Sequence, residues 1–270
     1  MRKKNYLFVL FATFIISVFG VSVIQTNKTQ TIQTSGSVEV LNNKKIGWGI
    51  KRAKNHEQPD LGSENKRLIE QYNGIAMGNK VDKYVYLTFD NGYEAGYTSK
   101  ILEVLKANNV KACFFITGHY LNTNTDLVKQ MVEEGHQVGN HTSRHKEMPS
   151  LTDEQMKEEI TTLHTAVFEK TGYEMKYLRP PKGEYSQRCL SVIQSLGYTT
   201  TMWSLAYDDW DEQKQDRTDY GKQKIIDNIH NGAVILLHGT SKDNANILDY
   251  CIKEIRKMGY EFKSLDEFVK

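Results

Sequence analysis

The chain has 270 residues, 39% hydrophobic and 25% charged, a balance ordinary for a soluble globular protein and sized for one domain of about 200 residues plus a tail. A formal net charge of +2, with no basic stripe interleaved with aromatic residues, argues against nucleic acid as a partner. The three cysteines, Cys113, Cys189 and Cys251, form no C-x-x-C pair, which speaks against a disulfide framework or a thiolate zinc site; each lies in an apolar stretch as a small core residue.

Residues 1–4 read MRKK, and residues 6–24 are almost unbrokenly apolar. The pattern is an export signal, cleaved or kept as a membrane anchor. The length suits a spanning helix and no A-x-A cleavage site follows, so an uncleaved anchor with a cytoplasmic N-terminus is expected. The remainder then works outside the cytoplasmic membrane. Residues 25–45, opening QTNKTQTIQTSGS, form a polar tether. Residues 46–82 are expected to be an extension packed on the main domain, with Trp48 in IGWG and with Leu68, Ile69 and Tyr72 at helical spacing.

From residue 84 strands and helices alternate. YVYLTFDNG (84–92) is a buried strand that ends abruptly in Asp90, Asn91 and Gly92. A helix over 98–108 follows, then strand ACFFIT (112–117), a helix closed by Gly135, and a short strand at 136–139. Thr152 and Gln155 stand at capping-box spacing before a long helix that Gly172 ends. Further strands are expected at 177–178, 199–203, 233–237 and 261–263, with helices at 186–196, 222–230, 246–258 and 264–269. About seven strands in β-α alternation imply an α/β fold with a parallel sheet, here an irregular (β/α) barrel. No G-x-G-x-x-G or G-x-x-x-x-G-K-S/T phosphate loop is present.

Titratable residues fall at strand ends. Asp90 and Asn91 follow the first strand and His141 and His145 the third. Arg179 follows the fourth, Asp209 and Trp210 the fifth, and His238 ends the sixth. Strand C-termini of a barrel converge on one face, so these residues can share a cleft. On a helical turn, His141 and His145 would put both rings on one side, near enough to share a metal, with the carbonyl oxygen of Asn91, or else Asp90, as third ligand. Surface loop histidines are the plainer reading of the same spacing. Two prolines stiffen RPPKG (179–183) and make Lys182 and Gly183 its next free amides; Arg179 is a carboxylate clamp or a structural arginine. Asp209 can hold and tune His238, and Trp210 can wall the cleft. His119 is a weaker candidate for the cleft wall. His56, His164 and His230 are expected at the surface or half-buried, and His136 in the packing of the third strand.

TFDNG, HTSRH, RPPKG, the DW at 209–210 and LLH at 236–238 occur in the order of the five motifs of the polysaccharide deacetylase family, the NodB homology domain of carbohydrate esterase family 4. The chain resembles this family over about residues 83–270, and TFDNGYE, ITGHYL, YLRPPKGEYS and LLHGTSKDNA resemble its spore-cortex branch, which deacetylates N-acetylmuramic acid on the way to the muramic delta-lactam. The resemblance implies Asp90 as general base, His238 as general acid, and Arg179 and Asp209 as their partners. It implies a metal held by His141, His145 and Asn91. It further implies a substrate-binding set of Lys182 through its backbone N–H, Tyr185, Trp210, and Leu236 in the acetyl-methyl pocket. Asn91 stands where most members have a second Asp, which lowers the ligand charge and weakens the hold on the ion.

The expected cofactor is one divalent ion, zinc first, with cobalt, manganese, nickel or magnesium as alternatives. The expected partner is peptidoglycan glycan strands in the cell wall or spore cortex, met by a monomer that touches membrane only through its N-terminal segment. Two rival readings are a deacetylase of N-acetylglucosamine in peptidoglycan or chitin-type glycans, and a non-catalytic glycan-binding module.

Overall fold

The computed structural model describes residues 41–270. The apolar segment at 6–24 and most of the polar tether lie outside the described residues. Among those described, no helix is long and apolar enough to cross a membrane.

In chain order the elements are β1 (Ile46–Gly47), α1 (Ser63–Gln71), β2 (Tyr84–Asn91), α2 (Thr98–Ala107), β3 (Cys113–Ile116), α3 (Gly118–Thr123), α4 (Thr125–Glu133), β4 (Gln137–Asn140), α5 (Asp153–Thr171), β5 (Tyr177–Leu178), β6 (Glu184–Tyr185), α6 (Gln187–Ser195), β7 (Thr199–Thr200), α7 (Thr218–Asn228), β8 (Ala233–His238), α8 (Lys242–Lys257) and β9 (Glu261–Lys263). The main sheet runs β7-β5-β4-β3-β2-β8, with β9 beside the start of β2, and every pairing in it is parallel. The sheet curls until its ends meet. Leu205, just past β7, bridges to Ile235 on β8, and Leu236 N–H donates to the Leu205 carbonyl at 2.9 Å. Lower down, Ile75 bridges to Thr201 and Met77 to Ala233. Trp48, Leu68, Ile69 and Tyr72 join the same apolar cluster as the strands and helices.

The parity of each strand decides what its tip can do. On β2, Val85, Leu87 and Phe89 pack against the helices, while Tyr86 lies in the inner cluster with Cys113, Phe115, Tyr177 and Val234. Thr88 and Asp90 continue the inward series. By the same count Leu236 and His238 on β8, and Arg179 one step past β5, turn inward. Gly139 on β4 leaves room inside for Phe115: a Cβ there would lie 2.4 Å from that ring.

Thr152 and Gln155 form the reciprocal capping box that opens α5, and Gly172 closes it at φ 71°. Two expected elements come out shorter. The strand after α6 covers only Thr199–Thr200 before isolated bridges take over. The C-terminal helix reduces to one 3₁₀ turn, Leu265–Glu267, because Val269 N–H then donates to the Tyr86 hydroxyl and the chain docks instead of coiling on. The cysteines are free and buried.

Candidate active site

Asp90 and His238 are direct neighbours in the β2–β8 register, so one carboxylate and one imidazole top adjacent strands. Gly239 N–H donates to the Asp90 carbonyl and locks the two tips together. Beside them lies a cleft of about 1100 Å³, walled by Asp90, His141, His145, Lys182, Leu236, Trp210 and His238 among others, with His119 also on its wall.

Arg179 is fully buried beneath the cleft. Its Nη1 donates to Asp90 Oδ1 at 2.7 Å, Nη2 to Thr88 Oγ1 at 2.9 Å and to the Met202 carbonyl at 3.3 Å, and Nε to the Thr201 carbonyl at 3.1 Å. Its guanidinium carbon stacks 4.2 Å from the centre of the Phe115 ring. Burial pushes the Asp90 carboxyl up, but the charge of Arg179, aided by His141 and His238, outweighs it and holds the group below the ordinary carboxylate range. Asp90 is therefore ionised and has one oxygen, Oδ2, turned away from the guanidinium and 3.5 Å from His141 Nε2.

His238 is the mirror case. Its Nδ1 lies 2.9 Å from Asp209 Oδ1, and its backbone N–H donates to Asp209 Oδ2 at 2.7 Å. Asn244, in the first turn of α8, donates to that same Oδ2 and to the His238 carbonyl. Burial pulls the imidazole down, yet the Asp209 carboxylate, by charge and hydrogen bond, lifts it above its ordinary value of 6.5. With Nδ1 committed to Asp209, Nε2 is left for the cleft. Chemistry that needs protonated His238 is present below its raised pKa and lost as pH rises through it. Asp209→Asn removes the lifting charge, so the alkaline limb of kcat against pH is expected to move to lower pH, with kcat at neutral pH down roughly 10-fold to 100-fold, read from a pH–rate profile.

His141 and His145 meet across a loop, not on a helical turn. Thr142 and His145 both take left-handed backbone, φ 66° and 54°, and the Asn140 carboxamide and Thr142 hydroxyl brace the bend. The rings still converge, with Nε2 atoms 3.2 Å apart. His141 Nδ1 donates to the Arg179 carbonyl at 2.8 Å, which leaves its Nε2 with a lone pair. Burial keeps His141 below its ordinary value, and packing of the ring together with His141 pushes His145 down to about 4, so both are neutral at pH 7. Two nitrogens bound at the zinc–imidazole distance of a tetrahedral site would stand about 3.3 Å apart. Among the described residues no group of three or more His, Cys, Asp and Glu side chains is gathered as a metal site, so the pair needs another oxygen. Asn91, one step out of the inward series, donates from Nδ2 to Thr98 Oγ1 and fills the space a Gly239 side chain would take; its Oδ1 is buried with no hydrogen-bond partner. Asn91 is not among the residues of the cleft wall, but an orphaned amide oxygen and two imidazole lone pairs are donor types that suit a divalent cation, and Asp90 Oδ2 is the oxygen 3.5 Å from His141 Nε2.

Leu236 and Trp210 are on the cleft wall, Leu236 nearly buried and Trp210 61% exposed. Tyr185 is not with them. It is fully buried beside Trp48, its hydroxyl donates to Asn65 Oδ1 at 2.7 Å, and the alternation of the short β6 strand turns it into the packing of the N-terminal extension. His230 is also buried, not at the surface, with Nε2 on Ser204 Oγ. Sequence reasoning missed Thr88, Trp203, Tyr207 and Asn244. Thr88 was the one in reach, since a polar residue two positions before Asp90 on a buried strand must share its face.

An inward-facing carboxylate held ionised, an imidazole whose pKa is raised by its own carboxylate partner and a pair of neutral imidazoles at the mouth of a parallel α/β barrel are the acid–base equipment of a hydrolase. The sequence signature of the polysaccharide deacetylase family matches residues 77–201. The chain is 42% identical over 236 residues to the peptidoglycan-N-acetylmuramic acid deacetylase PdaA of Bacillus subtilis, covering 87% of this chain and 90% of that one. It is 48% identical over 230 residues to an uncharacterised 30.6 kDa protein of Geobacillus stearothermophilus, covering 85% and 87%. The structure of B. subtilis PdaA, a family 4 carbohydrate esterase, superposes with a TM-score of 0.82 over 84% of this chain and 98% of that one. The chain belongs to the polysaccharide deacetylase family, and it is a deacetylase of the carbohydrate esterase family 4 type.

Proposed function

We propose that this enzyme hydrolyses the N-acetyl amide of N-acetylmuramic acid in peptidoglycan, releasing acetate and a free amine. The observation that carries the chemistry is the Asp90–His238 pair: neighbours in register, with the carboxyl pKa lowered and the imidazole pKa raised. The likeness to PdaA over nearly the full length of both chains supports the sugar.

The acetyl methyl rests on Leu236, and Trp210 offers a face to a sugar ring. Asp90 Oδ2 takes a proton from water, while Arg179 keeps the carboxylate ionised and aimed. The oxygen so freed attacks the acetyl carbon. The Lys182 N–H donates to the developing oxyanion. His238 Nε2 delivers its proton to the leaving nitrogen, the C–N bond breaks, and Asp209 holds the imidazole in orientation. A divalent cation, when bound by His141 and His145 with Asn91 Oδ1, supplies Lewis acidity to the amide and acidifies water beside it. Zinc suits two imidazoles and one amide oxygen.

With a carboxylate in place of the neutral amide, Asn91→Asp is expected to tighten cation binding by at least about tenfold, measured by competition against a chromophoric chelator. Unchanged affinity would take Asn91 out of the ligand set. Mass spectrometry of muropeptides before and after treatment tests the reaction: loss of acetyl from muramic residues is expected, and loss only from glucosamine would favour the rival substrate. The apolar N-terminal segment fits an enzyme working at the outer face of the cytoplasmic membrane, in the wall or spore cortex, where a freed muramic amine can close on its own lactyl group.

A further inference from the structure

N-acetylmuramic acid and N-acetylglucosamine carry the same acetamide. They differ at the adjacent ring carbon, where muramic acid bears a lactyl ether that ends, when no peptide is attached, in a carboxylate. A cleft that selects muramic acid gains from a cation within reach of that neighbouring carbon.

Two long cationic side chains stand on the cleft wall, Arg144 and Lys182. Arg144 is committed, with Nε 2.5 Å from Glu159 Oε1 and Nη2 3.4 Å from Glu158 Oε1. The one carboxylate that the described residues place on the wall, Asp90, is taken by Arg179. Lys182 is exposed and has no acidic partner among the ion pairs of the described residues.

Its backbone is also held in an unusual way. Lys182 sits at φ 59°, a left-handed conformation that costs an ordinary L-residue about 1 kcal/mol and that Gly or Asn adopts more cheaply. Pro180 and Pro181 stiffen the approach. Gly183 packs so tightly that a Cβ on it would fall 2.6 Å from the Trp203 ring. The turn therefore fixes the Lys182 backbone at the wall, and a lysine occupies a position where local conformation favours other residues.

We infer that the Lys182 ammonium reads the free lactyl carboxylate of muramic acid and is a specificity determinant of the cleft. The inference rests on the muramic reading above. Lysine is suited to the role as a mobile point charge that needs no fixed fork geometry.

The test uses the full-length enzyme on three probes: a tetrasaccharide of alternating N-acetylglucosamine and N-acetylmuramic acid with free lactyl carboxylates, the same glycan with those carboxylates converted to primary amides, and chitotetraose. Wild type is expected to prefer the acid over the amide by about tenfold in kcat/KM, a preference that shrinks as salt rises. Lys182→Gln is expected to erase that ratio through KM, and Lys182→Arg to keep it. Lys182→Asn, neutral and at ease in left-handed backbone, replaces the Gln variant if that one misfolds. A neutral variant that retains the wild-type ratio overturns the role of Lys182. Wild type that cleaves chitotetraose as well as the muramic glycan overturns the muramic reading instead, and the inference with it.

Discussion

Asp90→Asn is expected to lower kcat for acetate release by roughly 10³-fold and, in the same protein, to lower the melting temperature by roughly ten degrees. The first effect follows from the loss of the only carboxylate that the described residues bring to the cleft wall to take a proton from water. The second comes from Arg179. Its guanidinium is fully buried and faces Asp90 at 2.7 Å, so the amide leaves a charge in the interior with no counter-charge. The two readouts separate chemistry from folding: an unfolded variant loses its melting transition, whereas a folded one that keeps near wild-type kcat would remove Asp90 as the base. Circular dichroism melts alongside an acetate assay suffice.

Arg179→Met is expected to be as severe, for a complementary reason. Without the guanidinium, burial acts on Asp90 with its main opponent gone, so the carboxyl pKa rises and less of it is ionised at neutral pH. Thr88 Oγ1 and the Thr201 and Met202 carbonyls lose their shared donor as well. A drop of at least about 100-fold in kcat at neutral pH is expected, with partial recovery on raising the pH. The double variant Asp90→Asn with Arg179→Met should then be more stable than either single one, because no lone charge remains, while staying inactive. Additive losses of stability in the double variant would show that the pair is not coupled in this way.

The fold was legible because its signals are local. The apolar run at 84–92 and the glycines after each helix mark where strands and helices must fall, and β-α alternation leaves few topologies. Asp90, Arg179 and His238 were legible as a set because each follows an apolar strand, and strand tips of a barrel have one place to go. The imidazole pair was found for an incomplete reason: four-residue spacing suggested a helical turn, but the rings are brought together by left-handed backbone at Thr142 and His145, which the residue types do not announce. Tyr185 was misplaced because neighbourhood in sequence to Lys182 says nothing of side, and a two-residue strand reverses it. Asn244 was invisible since its role depends on how the first turn of α8 meets Asp209, thirty-five residues earlier.

The meeting of Leu205 with Leu236 and Ile235 has an implication for how the molecule can be rebuilt. That join sits next to Leu236 on the cleft wall and a few residues from both Asp209 and His238, so the stitch between the ends of the sheet also brings Asp209 to His238. New chain termini or grafted loops placed between residues 203 and 209 would unzip the wall and the chemistry together, whereas the helix-bearing outer turns offer room for redesign that leaves the reaction untouched.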